Sequence, residues 1–424
     1  MLGTPERAKP GHKGAARLAA LSLSLLLAAC GGNGSGPLDE IALLKVHVVD
    51  RYGADIAGAT VQAPTGSVAT DAQGVAVVVI GQAATSTDLT VSNPSFHSQA
   101  LTAPVTPGGS SEIEVTLDRV TAPAGGSLAT RSGLPSQADA ARQTLNFEVE
   151  LIVVDGAGRP VEGLGAGDFA LQICTPDAAS PQADCVDGST AAGDIAYAPL
   201  AAAPEAVAVV PGQPAAPYAA ALLLDQSGSI AQSDPTGARL YSAKSFLERL
   251  GDADQALLAA FASDPGALIP TPPLAVYGPF RDRAAAPSYF ATLDALAPLT
   301  AGSTPLYGSI DGLRAQIAGD AALPAALGRA IVVFTDGKDT TCGDAASCRT
   351  RREQVIAGAN QDAVRLFTIG LSGGVDLAAL GELANRTGGA MLYADNAEQL
   401  LPLYGSVGRL LSLSLPTYRV RWTV

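Results

Sequence analysis

The sequence predicts a multidomain chain in which a doubly wound α/β domain follows two small all-β sandwich modules. A length of 424 residues exceeds what one ordinary hydrophobic core accommodates. In the second half, apolar runs without alternation end in polar loops and alternate with helical patterns. The first half instead holds short β-branched runs between turn residues. We therefore expect β modules at 38–120 and 145–215, a linker at 121–144 and the α/β domain at 216–413.

The first thirty residues have the pattern of an export signal. Basic residues precede an apolar run at 18–29, which is too short for a permanent membrane span and predicts a cleaved signal peptide at 1–29. Leu27-Ala28-Ala29-Cys30 resembles the bacterial lipobox, which implies lipidation of Cys30, and a Gly-rich tether follows at 30–37. Gly31, rather than Asp, follows Cys30, and in this the sequence resembles lipoproteins of the bacterial outer membrane. The alternative is an ordinary signal peptide with an incidental cysteine.

The four other cysteines lie in two close pairs. In an exported protein this even number predicts disulfides Cys174–Cys185 and Cys342–Cys348. The alternative is free or metal-binding thiols, but neither pair has zinc-finger spacing and no histidine is nearby.

Charge and histidine content narrow the function. A net charge of -14 argues against nucleic acid or an anionic membrane as partner, so we expect membrane contact through the lipid anchor only. All three histidines precede residue 100, so the α/β domain has no imidazole base. No GxSxG or phosphate-loop motif occurs. We expect that the protein is not an enzyme.

Two β segments share one signature. VVDRYGADIAGATV resembles the carboxypeptidase regulatory-like domain, a transthyretin-like sandwich, and VVDGAGRPVEGL repeats its spacing from Val153. Asp50 and Asp155 could be read as calcium ligands, but Asp followed by Gly favours a turn. TYRVRWTV alternates arginine with apolar residues, and LNFEVELIVV carries two glutamates. We hypothesise that these two segments pair, so that 416–424 completes the second module.

Oxygen-bearing residues follow two apolar runs of the α/β domain. AAALLL ends at Asp225 and continues as DQSGSI, and another run ends in Thr335 and Asp336. Since ligands gather at the carboxyl ends of parallel strands, these residues predict a site there. Alternate side chains of DQSGS can face one point, and Gly228 allows the loop to bend. Oxygen ligands without His or Cys favour Mg²⁺, with Mn²⁺ or Ca²⁺ as alternatives.

ALLLDQSGSI, AGSTPLYGSI and IVVFTDGKD resemble the three segments of the metal ion-dependent adhesion site (MIDAS) of von Willebrand factor type A domains. The resemblance covers about residues 216–413. It implies five metal ligands: Asp225, Ser227, Ser229, Thr304 and Asp336. It also implies that a protein partner offers an Asp or Glu to the cation, in adhesion or complex assembly.

Two other functions remain open at the sequence level. The protein could be a structural component of the cell envelope in which the cation only stabilises the fold, or, less favoured, a hydrolase. The Cys342–Cys348 segment lies just beyond Asp336 and could stiffen a recognition loop or simply staple it.

Overall fold

A computed structural model describes residues 42–80, 84–120, 127–133, 137–139, 141, 144–155, 159–174, 197–199, 204–412 and 414–423. The expected signal peptide 1–29, the tether 30–37, Cys30 and Cys185 lie outside the described residues. The described residues contain no helix that is long and apolar enough to cross a membrane.

Seven strands form the described part of the first β module. They are β1 Ala42–Asp50, β2 Thr60–Ala63, β3 Gly66–Ala69, β4 Val75–Ile80, β5 Ser86–Asn93, β6 Phe96–Pro104 and β7 Ser110–Leu117. They make two sheets, with strand orders β4-β1-β7 and β3-β2-β5-β6. One apolar core lies between them, to which Leu44 and Val46 contribute from one sheet and Val61 and Leu89 from the other. The alternating burial of β4 and β5 follows from the two-residue side-chain period of a strand.

Between the first β module and the α/β domain, the described residues form six strands. They are β8 Ser127–Gly133, β9 Gln137–Asp139, β10 Thr144–Val154, β11 Gln172–Cys174, β12 Tyr197–Pro199 and β13 Ala206–Val210. The first two occupy the segment 121–144, where we expected a linker, so that expectation was wrong for 127–133 and 137–139. β8 pairs with β10. Its small and polar residues gave no periodic signal, because pairing with neighbouring strands, and not local propensity, makes it a strand.

In the part of the α/β domain that the structure describes there are seven strands and seven helices, and one further strand, β21, follows them. The strands are β14 Tyr218–Asp225, β15 Gln255–Phe261, β16 Leu274–Val276, β17 Arg281–Asp282, β18 Gly328–Thr335, β19 Val364–Leu371, β20 Met391–Ala394 and the closing β21 Thr417–Thr423. The helices are α1 Ile230–Ser233, α2 Ala238–Glu248, α3 Phe290–Leu296, α4 Leu306–Gly319, α5 Ala345–Gln361, α6 Leu377–Asn385 and α7 Leu400–Leu411. Short 3-10 turns occur at Ala166–Asp168, Pro265–Ala267, Ala286–Tyr289 and Ala397–Gln399.

The sheet of this domain is parallel from β20 through β19, β18 and β14 to β15, with β16 antiparallel at the edge. β14 is buried throughout and feeds two cores. Ala220, Leu222 and Leu224 face a core that also includes residues of α2, α3 and α7. Ala219, Ala221 and Leu223 face another that includes residues of α4, α5 and α6. Helices therefore cover both faces of the sheet, as the doubly wound prediction requires.

The second β module does not stand as a separate sandwich in the described residues. β13, β21, β10 and β8 continue the sheet of the α/β domain, because β8 bridges to β20 at Thr130 and Met391. β11 and β12 form a separate two-stranded sheet. The sequence could not reveal this continuation, since the edge of β20 is open to any strand that reaches it.

β21 pairs antiparallel with β10, the partner that the sequence pattern suggested. Glu150 stands opposite Arg419, and Glu148 opposite Arg421. The guanidinium groups reach these carboxylates at 2.7 and 2.8 Å. Chain segments from before and after the α/β domain thus meet in one sheet.

Candidate metal centre

The two aspartates of the predicted site lie at the carboxyl ends of adjacent parallel strands. β14 ends at Asp225 and β18 at Thr335, directly before Asp336. Leu224 is level with Phe334, which brings the two chain ends together. From β14 the chain continues to β15 on one side, whereas β18 lies on the other. The site therefore occupies the point at which the strand order reverses, where open α/β sheets form a crevice.

Backbone hydrogen bonds join the DQSGS loop to the loop that carries Thr304. The Gly228 amide donates to the Gly302 carbonyl at 3.1 Å, and the Ala301 amide donates to the Gln226 carbonyl at 2.9 Å. Gly302 has φ +81°, and a Cβ there would lie 2.6 Å from Ser263 Oγ, in the segment that follows β15. This position in the second loop therefore requires glycine. These contacts hold the first and second loops against one another.

The loop after β18 is joined to the Thr304 loop as well. The Thr340 amide donates to the Thr304 carbonyl at 3.1 Å, and the Thr304 amide donates to Thr340 Oγ1 at 2.9 Å. A Cβ built on Gly337 would lie 3.8 Å from Thr304 Oγ1, which places this hydroxyl beside the residue that follows Asp336. All three segments named from the sequence therefore meet at one place.

Hydroxyl groups surround the two carboxylates. Ser229 donates to Asp336 Oδ1 at 2.8 Å, and the hydroxyls of Ser227 and Ser229 lie 3.2 Å apart. Asp225 accepts hydrogen bonds from the Ser227 amide at 2.8 Å and from the Thr335 hydroxyl at 2.6 Å. Four of the five predicted ligands are almost fully buried, and Ser229 is exposed. The site can be reached from the side on which Ser229 lies.

The electrostatics of the site favour a cation. Burial, and after it the negative charge of Asp336, raise the pKa of Asp225 from 3.8 to about 6, although hydrogen bonds from Thr335 and Ser227 oppose the shift. The described residues around the two aspartates supply hydroxyl donors and no ion pair to either carboxylate. Two acidic groups held together without a cationic partner are costly unless a positive ion joins them.

The donor set suits a hard divalent cation. The described residues contain no group of three or more His, Cys, Asp or Glu side chains that could hold a metal ion, so a site here depends on two carboxylates together with hydroxyls. Mg²⁺ is commonly held by one or two carboxylates with waters completing the octahedron. The residues present therefore fit Mg²⁺ or Mn²⁺, and Asp225, Ser227, Ser229, Thr304 and Asp336 are the ones that would hold it.

Two hydroxyl residues at the site are not among the five ligands predicted from the sequence. Ser233 donates to Asp336 Oδ2 at 2.5 Å, and Thr335 binds Asp225. Ser233 lies four residues after Ser229, one helical turn further on in α1, and this spacing could have identified it. Both residues contact the carboxylates and thereby orient them.

The aspartates of the repeated VVD signature close turns. Asp50 Oδ1 accepts hydrogen bonds from the amides of Tyr52 and Ala54 at 2.8 and 3.0 Å. Asp155 accepts from the backbone amide and from the side chain of Arg159 at 2.9 and 2.8 Å. These contacts agree with the turn interpretation that the sequence favoured over calcium binding.

Cys342 and Cys348 are joined by a disulfide just after the third metal segment. The bond bridges the start of α5, where Asp344 caps the helix by accepting from the Ser347 amide at 2.7 Å. The two cysteines line a cleft of about 240 Å³ together with Tyr307, Lys338 and Asp376. The pairing expected for Cys174 and Cys185 falls outside the described residues.

No protein-family model matches the sequence, and no curated protein does either. Several solved structures are similar to it. The chain is 14% identical to proximal thread matrix protein 1 from the mussel byssus with a zinc-occupied MIDAS motif, over 51% of this chain and 50% of that one, with a TM-score of 0.36. It is 12% identical to a von Willebrand factor type A protein from Catenulispora acidiphila, over 68% and 50%, with a TM-score of 0.36.

The chain is also 17% identical to the manganese-loaded TRAP protein of Plasmodium vivax, over 51% of this chain and 80% of that one, with a TM-score of 0.35. The chain thus spans about half the length of the mussel and Catenulispora proteins. These likenesses are distant.

Proposed function

We propose that this chain binds one divalent cation, Mg²⁺ or Mn²⁺, through Asp225, Ser227, Ser229, Thr304 and Asp336. We further propose that the bound cation captures an Asp or Glu side chain of a protein partner at the bacterial cell envelope. The observation that carries the proposal is the convergence of two buried carboxylates and several hydroxyls at the carboxyl edge of β14 and β18.

The division between buried and exposed ligands supports capture of a partner. Asp225 and Ser227 are closed off inside the domain, whereas Gly228 and Ser229 are exposed. With five protein ligands, an octahedral cation bound there would keep one position for water, which an incoming carboxylate could take. The exposed side is where a carboxylate would approach, and the buried side holds the geometry fixed. We propose a binding role without catalysis.

A second candidate is that the cation only staples the fold. The three loops are already joined by backbone hydrogen bonds, and an ion bound by all three would join them further. In that case metal would raise the stability of the protein, by an amount set by its concentration relative to the dissociation constant, but no carboxylate would bind.

The experiment titrates the Mn²⁺-loaded full chain with a short C-terminally amidated peptide whose single carboxylate is one Glu, and with the same peptide carrying Gln. The relaxation rate of water protons reports how many waters remain on the Mn²⁺. We expect the Glu peptide to lower it by displacing water, and the Gln peptide to leave it unchanged. Equal responses to both peptides, with Mn²⁺ still bound, would refute carboxylate capture and leave the staple.

Anchoring at the envelope is a separate part of the proposal. We expect the chain to label with a radioactive fatty acid in a diderm bacterial host and to fractionate with the outer membrane. Cys30→Ser should abolish labelling. A Cys30→Ser protein that is labelled as strongly as the original would contradict lipidation at this residue.

A further inference from the structure

Helix α2, which is separated from the DQSGS loop by α1 and residues 234–237, is covered on two sides. Its residues 238–247 are all buried, including the charged Arg239 and Lys244. One side packs against α7, where both helices contribute to the same core. An amphipathic helix on the surface of a domain would expose its other side. The burial of that side therefore needs a second partner.

The first β module is this partner. Tyr52, in the turn after β1, packs edge-on against Tyr241 and Phe290, with ring centroids 4.9 and 5.3 Å apart. Lys244 Nζ lies 5.6 Å from the centre of the Tyr52 ring, and Arg51 pairs with Glu248 at 2.6 Å. Tyr241, Lys244 and Glu248 follow one another at helical spacing and form a single stripe. The β module thus docks along one face of α2.

Arg119 extends this contact to the loop that precedes α2. Its guanidinium donates to the Thr236 carbonyl at 2.7 Å and to the Thr236 hydroxyl at 3.1 Å. The same guanidinium lies over the rings of Phe96 and Tyr241, at 4.9 and 5.0 Å. A planar group fixed by two hydrogen bonds between two rings has a defined position. Arg119 therefore ties the loop between α1 and α2 to the β module.

A chain of buried hydrogen bonds leads from the loop between α1 and α2 to the DQSGS loop. Asp234 accepts hydrogen bonds from the amides of Ala238 and Arg239 and from the Arg239 side chain at 2.9 Å. Arg239 also donates to the side-chain oxygen of Gln226, the second residue of DQSGS. These three side chains are nearly inaccessible to solvent, so their hydrogen bonds are not exchanged for water.

Gln226 and Ser233 make hydrogen bonds at the start of the DQSGS loop and just after it, at the end of α1. The Gln226 amide group donates to the carbonyls of Leu296 and Leu299 at 2.8 and 2.7 Å. Ser233, adjacent to Asp234, donates to Asp336. A displacement of residues 234–236 would therefore move Gln226 at the start of the loop and Ser233 at its end.

We propose that Arg119 of the first β module is a positioning residue for the metal site. It acts through Thr236 and the Asp234–Arg239–Gln226 chain, and it touches neither the cation nor its ligands. The proposal rests on the proposed function, since it requires that the site binds metal. By linkage, cation binding must then strengthen the contact between the β module and α2 to the same degree.

The test measures Mn²⁺ affinity and thermal stability on the full chain for Arg119→Ala, Arg119→Lys and Thr236→Ala. Lys45→Ala is the matched control, because it removes an exposed ion pair with Glu112 elsewhere on the same β module. We expect Arg119→Ala to weaken Mn²⁺ binding about fivefold or more, a typical coupling between sites. Arg119→Lys should recover part of the loss, and Lys45→Ala should bind as the original does.

Thr236→Ala keeps the hydrogen bond from Arg119 to the Thr236 carbonyl and should fold normally. It therefore still tests the proposal if the Arg119 variants do not fold. We expect it to weaken Mn²⁺ binding about twofold, because only the hydroxyl contact is lost. Hydrogen exchange provides the reciprocal measurement. Mn²⁺ should slow exchange at residues 51–54 in the original chain, but not in Arg119→Ala.

The outcomes distinguish a failure of the positioning role of Arg119 from a failure of the proposed function. Unchanged Mn²⁺ affinity in folded Arg119→Ala, whatever its melting temperature, would overturn positioning and leave Arg119 a structural residue. No Mn²⁺ binding by the original chain would instead overturn the proposed function itself.

Discussion

Asp50 and Asp225 both follow an apolar strand and are both nearly buried, yet their surroundings differ in kind. The Asp50 carboxylate is used by its own turn: the amides of Tyr52 and Ala54 donate hydrogen bonds to one of its oxygens. Asp225 accepts one amide of its own loop, and its other oxygen binds Thr335 from the neighbouring strand. It also faces the charge of Asp336.

This difference shows what separates a turn aspartate from a metal ligand. A turn satisfies its carboxylate with amides from within about four residues, so it needs no further partner. Asp225 accepts one hydrogen bond from its own loop and another from Thr335, 110 residues away, and it also faces the charge of a second acid, Asp336. Strand-end position alone does not distinguish the two cases, and the convergence of distant segments does.

Asp225→Asn should have the largest effect and affects the two sides of the comparison differently. We expect Mg²⁺ affinity to fall more than about a hundredfold, since even residues behind metal ligands cost ten- to a hundredfold. Metal-free stability should stay level or rise by about 1–3 kcal/mol near pH 7, because a buried charge next to Asp336 is removed. Chemical denaturation with and without Mg²⁺ measures both. A stability loss without any change in metal affinity would place Asp225 among the turn aspartates.

Acid should weaken metal binding at Asp225. Because its pKa is raised to about 6, protons compete with the cation below that pH, and affinity should fall about tenfold per pH unit. Calorimetric Mg²⁺ titrations at pH 5, 6 and 7 would check this. Affinity that is constant over this range would show that no carboxylate with a raised pKa binds the ion.

The metal-free protein should show the opposite trend with pH. The folded state holds a proton on Asp225 more tightly than the unfolded state does, so stability falls as pH rises from about 4 to about 6. Asp50, whose pKa burial also raises, contributes in the same direction. The difference between the original chain and Asp225→Asn in denaturation at each pH isolates the part due to Asp225. Parallel curves would contradict the shift.

Ser233→Ala should have a smaller effect on the metal site. It removes the hydrogen bond to Asp336 Oδ2 but no predicted ligand, so we expect Mg²⁺ affinity to fall about tenfold. Ser288→Ala is a control, because the Ser288 hydroxyl donates to the Ala285 carbonyl of its own turn and, among the described residues, to no predicted ligand. Equal affinities in the two variants would show that Ser233 does not orient Asp336.

Asp155→Ala should have the smallest effect on metal binding, namely none. It removes two hydrogen bonds to Arg159, and we expect a stability loss of about 0.5–1.5 kcal/mol. Denaturation and Mg²⁺ titration on the same sample measure both quantities. A loss of metal affinity here would break the distinction between turn and metal aspartates.

The α/β domain was predictable because its signals are local. Buried strands such as β14 read as apolar runs, and the polar residues at Asp225 and Asp336 follow such runs directly. The continuation of the sheet through β8 was not predictable, since Thr130 meets Met391 across more than 250 residues. The role of Gln226 was hidden for a similar reason, because its partners are Arg239, Leu296 and Leu299.

Binding of Mn²⁺ to the full chain, followed by electron paramagnetic resonance of the free ion, tests the central claim most directly. We predict one tight site per chain that disappears in Asp225→Asn, persists in Asp155→Ala and is competed by Mg²⁺. A folded chain that binds no Mn²⁺ at millimolar concentration, or that binds it equally in Asp225→Asn, would contradict the assignment of the metal centre.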